Sequence, residues 1–159
     1  MNAPLPAVPP VPKFQPKDPA FAARVRASFA RQKAMALIGA RLTAVEPGFV
    51  EIALHYRSDL TQQKAYVHGG ILGMIADTAC GYAAYSLMPA TSSLVTVEYK
   101  INILAPAKGD LLARGEVIRP GRTLSIARGD VYAADGTHVA SMLQTLMMLA
   151  DTPDTPEAA

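Results

Sequence analysis

The chain has 159 residues, 50% of them hydrophobic, and its 15 Lys and Arg residues nearly balance its 13 Asp and Glu residues. This length suits one domain with an ample core, and the scattered basic residues do not form the concentrated stripe expected of a nucleic-acid binder. Cys80 is the only cysteine, which rules out an internal disulfide bond and a cysteine-rich zinc site.

Both ends of the sequence are rich in proline. Residues 1–18 lack the basic start and continuous apolar run of a secretory signal, and their prolines exclude a regular helix or a central strand. We therefore expect a disordered arm over 1–18, a single domain over 19–150 and a flexible tail over 151–159. A cytoplasmic location is the default for such a chain.

The first predicted helix lies in the segment DPAFAARVRASFARQKAMALIG, which starts at Asp18. Asp18 is the expected N-cap, with Pro19 at the first helical position, where its missing N–H is not needed. Apolar side chains recur every four residues, as on one face of an amphipathic helix, at Phe21, Val25 and Phe29. Three arginines of the segment are expected to face water, namely Arg24, Arg26 and Arg31.

A β-hairpin is predicted between Leu37 and Leu54, because two strand-like runs flank the turn Glu46-Pro47-Gly48. The segment that follows, Tyr66 to Met88, is apolar on nearly every side, which predicts a helix buried in the domain. It carries one carboxylate, Asp77, near its middle. That charge and the glycines of the segment argue against a membrane span.

Four strands are predicted after this helix. The stretch VTVEYKINI alternates, which places one set of side chains toward a core (Val95, Val97, Tyr99, Ile101 and Ile103) and the other on a polar face (Thr96, Glu98, Lys100 and Asn102). The turns PAKGD, RPGR and ADG separate three further apolar segments, which predicts a four-stranded antiparallel meander. Because the apolar helix cannot lie outside a small domain, the sheet must curl around it. The last strand, VASMLQTLMML, is apolar on both faces, which indicates a second subunit nearby.

This order of elements, with HGG opening the central helix and an Asp nine residues after the His, resembles the hotdog-fold acyl-CoA thioesterases of the phenylacetic-acid-degradation (PaaI) type. The likeness covers roughly residues 36–149 and rests on HGGILGMIADTACGYAA, VTVEYKINILAPAKGD and RPGRTL. It implies an α+β fold in which a curved antiparallel sheet wraps a long central helix. It also implies a homodimer or a dimer of dimers that hydrolyses an acyl-CoA thioester, with no metal and no cofactor beyond the CoA of the substrate.

The resemblance assigns roles to particular residues. The family's catalytic carboxylate falls on Asp77, its oxyanion-hole N–H on Gly69 or Gly70, and a helper hydroxyl on Thr96. Many members have Asn six residues before the His, where this chain departs from the pattern. The two candidates for that amide here are Gln62 and Gln63.

The chemistry of a thioester hydrolase agrees with these residues. A base or nucleophile must act at the carbonyl carbon, and donors must meet the developing oxyanion. Asp77, desolvated among apolar neighbours, suits the first role, although it also suits a structural bond to a nearby group. Gly69 and Gly70 permit a tight turn and offer unsatisfied N–H groups at a helix start. His68 is expected to position this turn, with general-acid help to the leaving thiolate as a second option.

Three basic residues are candidates for the CoA phosphates, namely Lys100, Arg119 and Arg122, although RPGR is first of all a turn. One alternative is a non-catalytic acyl-CoA-binding module; the Gln at the usual Asn position is compatible with it, whereas Asp77 argues against it. Another is an enoyl-CoA hydratase, which the nine-residue interval between His68 and Asp77 disfavours.

The interval between the two halves of the candidate site predicts how subunits assemble. An α-helix rises about 1.5 Å per residue, so the eight steps from Gly69 to Asp77 span about 12 Å. One helix therefore cannot bring both groups to one carbonyl. Two antiparallel copies related by a twofold axis would, which predicts an obligate homodimer with two shared sites.

Overall fold

One antiparallel sheet contains all six strands of the computed structural model, which describes residues 14–154. The helices are α1 (Phe21–Arg31), α2 (Lys33–Ile38) and α3 (Gly69–Tyr85), with a 3-10 turn at Ser58–Leu60. The strands are β1 (Arg41–Glu46), β2 (Phe49–Leu54), β3 (Ser93–Ile103), β4 (Leu111–Arg119), β5 (Leu124–Ala133) and β6 (His138–Leu149). The curved sheet packs around α3, which confirms the predicted α+β hotdog architecture. Within the described chain, no helix is long and apolar enough to cross a membrane.

The strand order is β1-β2-β4-β5-β6-β3, so the predicted four-stranded meander is wrong. The hairpin of β1 and β2 forms as expected, and β4, β5 and β6 follow one another across the sheet. β3, however, pairs with β6 at the far edge, while β2 pairs with β4. Alternation within a strand predicts its two faces but not its neighbours, because pairing is decided by contacts far apart in the chain.

A β-bulge in β3 changes which of its side chains face α3. The pairing of β3 with β6 slips just after Thr96, so Val97 is an extra residue and the alternation reverses there. Thr96 reaches Asp77 of α3. Tyr99, three residues further on, also reaches α3, since its hydroxyl lies 3.7 Å from where a Cβ on Gly73 would stand. Thr96 is therefore on the helix side of the sheet and not on the predicted polar face.

The predicted core face of β3 is only partly right: Ile101 packs against the core and Tyr99 reaches α3. Four of its five apolar residues are about half exposed: Val95 (41%), Val97 (53%), Tyr99 (46%) and Ile103 (52%). The reason is that β3 is an edge strand, and α3 covers only part of its inner side.

Glycines in the sheet allow α3 to lie directly on it. A Cβ on Gly115 of β4 would lie 2.2 Å from the carbonyl carbon of Ala79, and one on Gly129 of β5 would lie 2.9 Å from Sγ of Cys80. Both strands therefore need glycine where the helix crosses them. The helix meets them with small side chains such as those of Ala76 and Ala79, which are fully buried.

The N-terminal helical segment forms two helices where one was predicted. They are separated at Gln32, whose ψ of 96° is extended. Asp18 lies before the helix and is not its N-cap; its carboxylate accepts a 2.9 Å hydrogen bond from the N–H of Ala20, the actual N-cap. Leu37, expected at the start of the hairpin, belongs to α2.

Arg24 was predicted to face water, but it is turned toward the protein instead. Its guanidinium pairs with Asp18 at 2.8 Å and donates to the carbonyl oxygens of Tyr85, at 3.2 Å, and Met88, at 2.7 Å. These carbonyls lie at the C-terminal end of α3, where the helix dipole favours a cation. Arg24 thus joins α1 to the central helix, whereas Arg26 is exposed as expected.

The two terminal segments contact the domain where the structure describes them. Phe14 packs against the core, and Asp154 accepts a hydrogen bond from Ser28 of α1. Residues 1–13 of the predicted arm and 155–159 of the predicted tail lie outside the described part of the chain.

Candidate active site

The site around Asp77 is a cleft of about 250 Å³ between α1, α3, β3 and the C-terminal segment. Asp77 is half-buried on α3, at the edge of the helix surface that faces β3 and β6. Burial raises the pKa of Tyr82 to about 12, so its hydroxyl stays protonated at neutral pH. Besides Asp77, the lining includes Ser28, Gln32, Tyr82, Tyr85, Leu94 and Asp154.

Two side chains hold the carboxylate of Asp77. The hydroxyl of Thr96 donates to Oδ1 at 2.8 Å, and the side-chain amide of Gln144 donates to the same oxygen. The Gln144 amide also donates to Oγ1 of Thr96 at 2.9 Å. No donor from residues 14–154 reaches Oδ2. The carboxylate is thus fixed through one oxygen, and the other is left open.

Sequence reasoning missed Gln144. It stands near the middle of β6 and is 1% exposed, on the strand that was described as apolar on both faces. The available signal was a single amide within the run VASMLQTLMML. A buried amide needs partners, so its presence in such a run indicates a specific hydrogen-bonding role.

The two glycines at the start of α3 differ in the hydrogen bonding of their N–H groups. His68 is the N-cap, and its Nδ1 accepts a 2.9 Å hydrogen bond from the N–H of Gly70. This contact requires the neutral ring with its proton on Nε2. The N–H of Gly69 has no acceptor in the described part of the chain. Gly69 therefore offers the open donor at this helix end, and His68 positions the turn.

The two glutamines before the helix are arranged differently. Oε1 of Gln62 accepts a hydrogen bond of 2.5 Å from the N–H of Lys64, which folds its side chain onto its own loop. Gln63 is exposed. Neither lines the cleft of Asp77.

The single chain does not bring Gly69 and Asp77 together. Both lie on α3, eight residues apart, so about 12 Å of helix separates them. Thr96 and Asp77 are in contact, whereas the glycine turn lies at the start of α3 and the carboxylate at its middle.

The candidates for CoA phosphates are all exposed and lie away from this cleft. Nζ of Lys100 donates to Oδ1 of Asn102 at 2.7 Å. Arg122 lines a separate cleft of about 300 Å³, together with Lys17 and Leu87. Arg119 is the last residue of β4, directly before the loop of residues 120–122 that lines this second cleft.

Cys80 is not a nucleophile in this arrangement. Burial, and then the charges of Asp77 and Asp130, raise the pKa of its thiol far above neutral pH. The thiol therefore stays protonated inside the core.

Sequence comparison gives relatives with named activities. Residues 65–140 match the model of the thioesterase superfamily. A provisionally named esterase of Halobacterium salinarum is 30% identical over 117 residues, which cover 67% of this chain and 78% of that protein. A medium/long-chain acyl-CoA thioesterase of Salmonella typhimurium is 21% identical over 127 residues, which cover 70% of this chain and 82% of the relative.

Two solved structures are similar to this chain in fold, and one of them also in sequence. The chain is similar to a thioesterase family protein of Silicibacter pomeroyi, with 46% identity, a TM-score of 0.79 and coverage of 82% of this chain and 98% of that one. It is also similar to the E. coli PaaI protein from the phenylacetic acid degradation operon, with 19% identity, a TM-score of 0.78 and coverage of 84% and 96%. The second similarity concerns the fold alone.

Proposed function

The chain belongs to the thioesterase superfamily, and on this basis we propose that it hydrolyses the thioester of an acyl-CoA to a free acid and CoA. The observation that carries the proposal is the carboxylate of Asp77, which Thr96 and Gln144 hold by Oδ1 at the edge of a cleft while Oδ2 stays open. The name of the Salmonella relative supports CoA as the carrier of the acyl group.

In this proposal Oδ2 of Asp77 takes a proton from a water molecule, and the water oxygen attacks the carbonyl carbon of the thioester. The C–S bond then breaks, and the departing thiolate takes up a proton, giving a carboxylic acid and free CoA. Direct attack by Oδ2 would instead form an enzyme-bound anhydride that water hydrolyses. Both routes use the same oxygen, so the arrangement suits either.

The oxyanion is stabilised by the start of α3. The N–H of Gly69 is the open donor, and the positive end of the helix dipole adds to it. Gly70 is a weaker candidate, because its N–H is already donated to His68. A side-chain amide from Gln62 or Gln63 completes the hole; Gln62 must release Lys64 to do so.

The site needs two subunits, because the helix rise separates Gly69 from Asp77 by about 12 Å. We therefore place the carboxylate of one subunit opposite the glycine turn of the other, in a homodimer with two sites. A dimer of dimers is compatible with the same pairing.

Two exposed surfaces support this assembly. The less buried residues of α3 form a strip at helical spacing, made of the exposed Gly70 and the half-buried Met74, Asp77, Thr78 and Gly81. β3 beside it is an edge strand with exposed apolar side chains. Edge strands of this kind are usually covered, and a second β3 would extend the sheet while covering the strip.

The CoA phosphates are assigned to the exposed basic residues Lys100, Arg119 and Arg122. Arg122 is the strongest of the three, because it and Lys17 line one cleft where a phosphate could meet two cations.

An assay of free thiol release with a panel of acyl-CoA substrates tests the function. We expect turnover of at least one substrate by the wild type and a kcat lower by about a hundredfold or more in Asp77→Asn. Binding of acyl-CoA without thiol release from any of them would favour the non-catalytic module instead.

A further inference from the structure

We propose that Gln144 is a positioning residue that selects Oδ2 of Asp77 as the reactive oxygen. This inference rests on the proposed function. Gln144 stands near the middle of β6, opposite Tyr99 of β3 and Ala127 of β5, so the sheet encloses it on both sides. It is 1% exposed, and it is the buried polar side chain of β6 that meets α3.

Both hydrogens of the Gln144 side-chain amide are used. One goes to Oδ1 of Asp77 and the other to Oγ1 of Thr96. Thr96 has one hydroxyl hydrogen, and because it accepts from Gln144 it is oriented to donate to Asp77. The three side chains form a closed triangle of hydrogen bonds.

A contribution to stability does not explain why a glutamine stands at position 144. Its Oε1 is buried and has no partner in the described chain, which is unfavourable for folding. A methionine of similar length would fill the same space without an unsatisfied oxygen. The feature that only the glutamine provides is the pair of N–H donors.

The effect of those donors falls on one oxygen. Oδ1 of Asp77 receives two hydrogen bonds, so the carboxylate cannot turn to exchange its oxygens without breaking both. Oδ2 therefore keeps a fixed position and orientation in the site. Because a general base or nucleophile must be held in a productive geometry, losing this restraint should lower kcat and leave substrate binding largely unchanged.

The kinetic test compares Gln144→Met with Gln144→Glu. Met keeps the length and removes the donors, and we expect kcat to fall by about ten- to a hundredfold with KM changed less than about twofold. Glu replaces the donors with a like charge beside Asp77, and its loss at pH 7 should be at least as large. Thr145→Val is the matched control on the opposite face of β6 and should keep wild-type kcat.

A double substitution separates positioning from a general structural effect. If Gln144 acts through Asp77, adding Gln144→Met to Asp77→Asn changes the residual kcat by less than about twofold. The same fold-loss in both backgrounds, with unchanged melting temperatures, would overturn the proposal. So would a wild-type kcat in Gln144→Met.

A spectroscopic readout does not depend on turnover. In ¹⁵N-labelled protein, the side-chain amide protons of Gln144 should exchange slowly with solvent, and their resonances should move when Asp77 is changed to Leu. Exchange as fast as that of the exposed Gln63 would refute the contact. Slow exchange together with no thiol release by the wild type would leave the Gln144–Asp77 contact standing and overturn the proposed function instead.

Discussion

The hydroxyl of Thr96 donates a 2.8 Å hydrogen bond to Oδ1 of Asp77, and the bulge that begins at the next residue of β3 separates this contact from the rest of the strand. The bulge lets Thr96 and Tyr99 both face α3, although three positions separate them. β3 can therefore hold the carboxylate at one end and cover the helix with apolar side chains at the other.

Replacing Asp77 with Asn should lower kcat by about a hundredfold or more, because the amide can neither accept a proton from water nor attack the carbonyl. The fold should persist, since Asn has the same shape and keeps an acceptor for Thr96. Thiol release and circular dichroism together check this result. Near-normal turnover in a folded variant would contradict the assignment.

Thr96→Val should lower kcat by about tenfold, because it removes a hydrogen bond to a charged carboxylate. Thr96→Ser keeps the hydroxyl and is the matched control, so it should retain most of the activity. Activity retained in Thr96→Val but lost in Thr96→Ser would mean that the methyl group, and not the hydroxyl, is what Asp77 requires.

Gly69→Pro should abolish the oxyanion donor without disrupting the helix. Pro is favoured at the first helical position, and His68 before it has φ −62° and ψ 138°, which a residue preceding proline tolerates. We expect kcat to fall by about a hundredfold. Gly69→Ala keeps the N–H and meets no atom closer than 3.9 Å, so it should remain active.

The shared site is tested by mixing Asp77→Asn chains with Gly69→Pro chains after dissociation. Random reassociation makes half of the dimers mixed, each with one intact site of two, so about a quarter of wild-type activity should return. No recovery, with mixed dimers shown by mass spectrometry, would place each site within one subunit.

Gly115→Ala should lower the free energy of unfolding by about 3 kcal/mol, because the new Cβ would meet the backbone of Ala79 at 2.2 Å. Gly73→Ala is the comparison, since its Cβ would lie 3.7 Å from the nearest atom and Ala suits a helix better than Gly. Urea denaturation of both variants gives the two values. A Gly115→Ala protein as stable as the wild type would show that α3 can shift away from β4.

Asp18→Asn should destabilise the fold at neutral pH by about 1–2 kcal/mol, since Asp18 pairs with Arg24. The N–H of Ala20, and then Arg24, hold the pKa of Asp18 below its ordinary value of 3.8. A lowered pKa gives stability that is present above the ordinary value and disappears as pH falls through the lowered one. The difference between wild type and variant should therefore shrink below about pH 4, as measured by urea unfolding across that range.

The sequence alone predicted the parts of this protein that depend on local pattern. The apolar segment around Asp77 became the central helix, His68 and the glycines became its start, and the turn at Gly48 joined a hairpin. These features follow from residues within a few positions of each other, since side-chain period and turn chemistry are local. Asp77 was a candidate because a carboxylate in such a helix is unusual.

Only the tertiary structure decided which side chains meet Asp77. Gln144 reaches it because β6 lies beside β3, a pairing between strands almost fifty residues apart in the chain. Thr96 faces it because of a bulge that the alternating pattern does not reveal. Arg24 is removed from water because α1 packs against the end of α3. Each of these contacts depends on how distant segments share one core, and the free energy of that arrangement is not encoded in any single stretch of sequence.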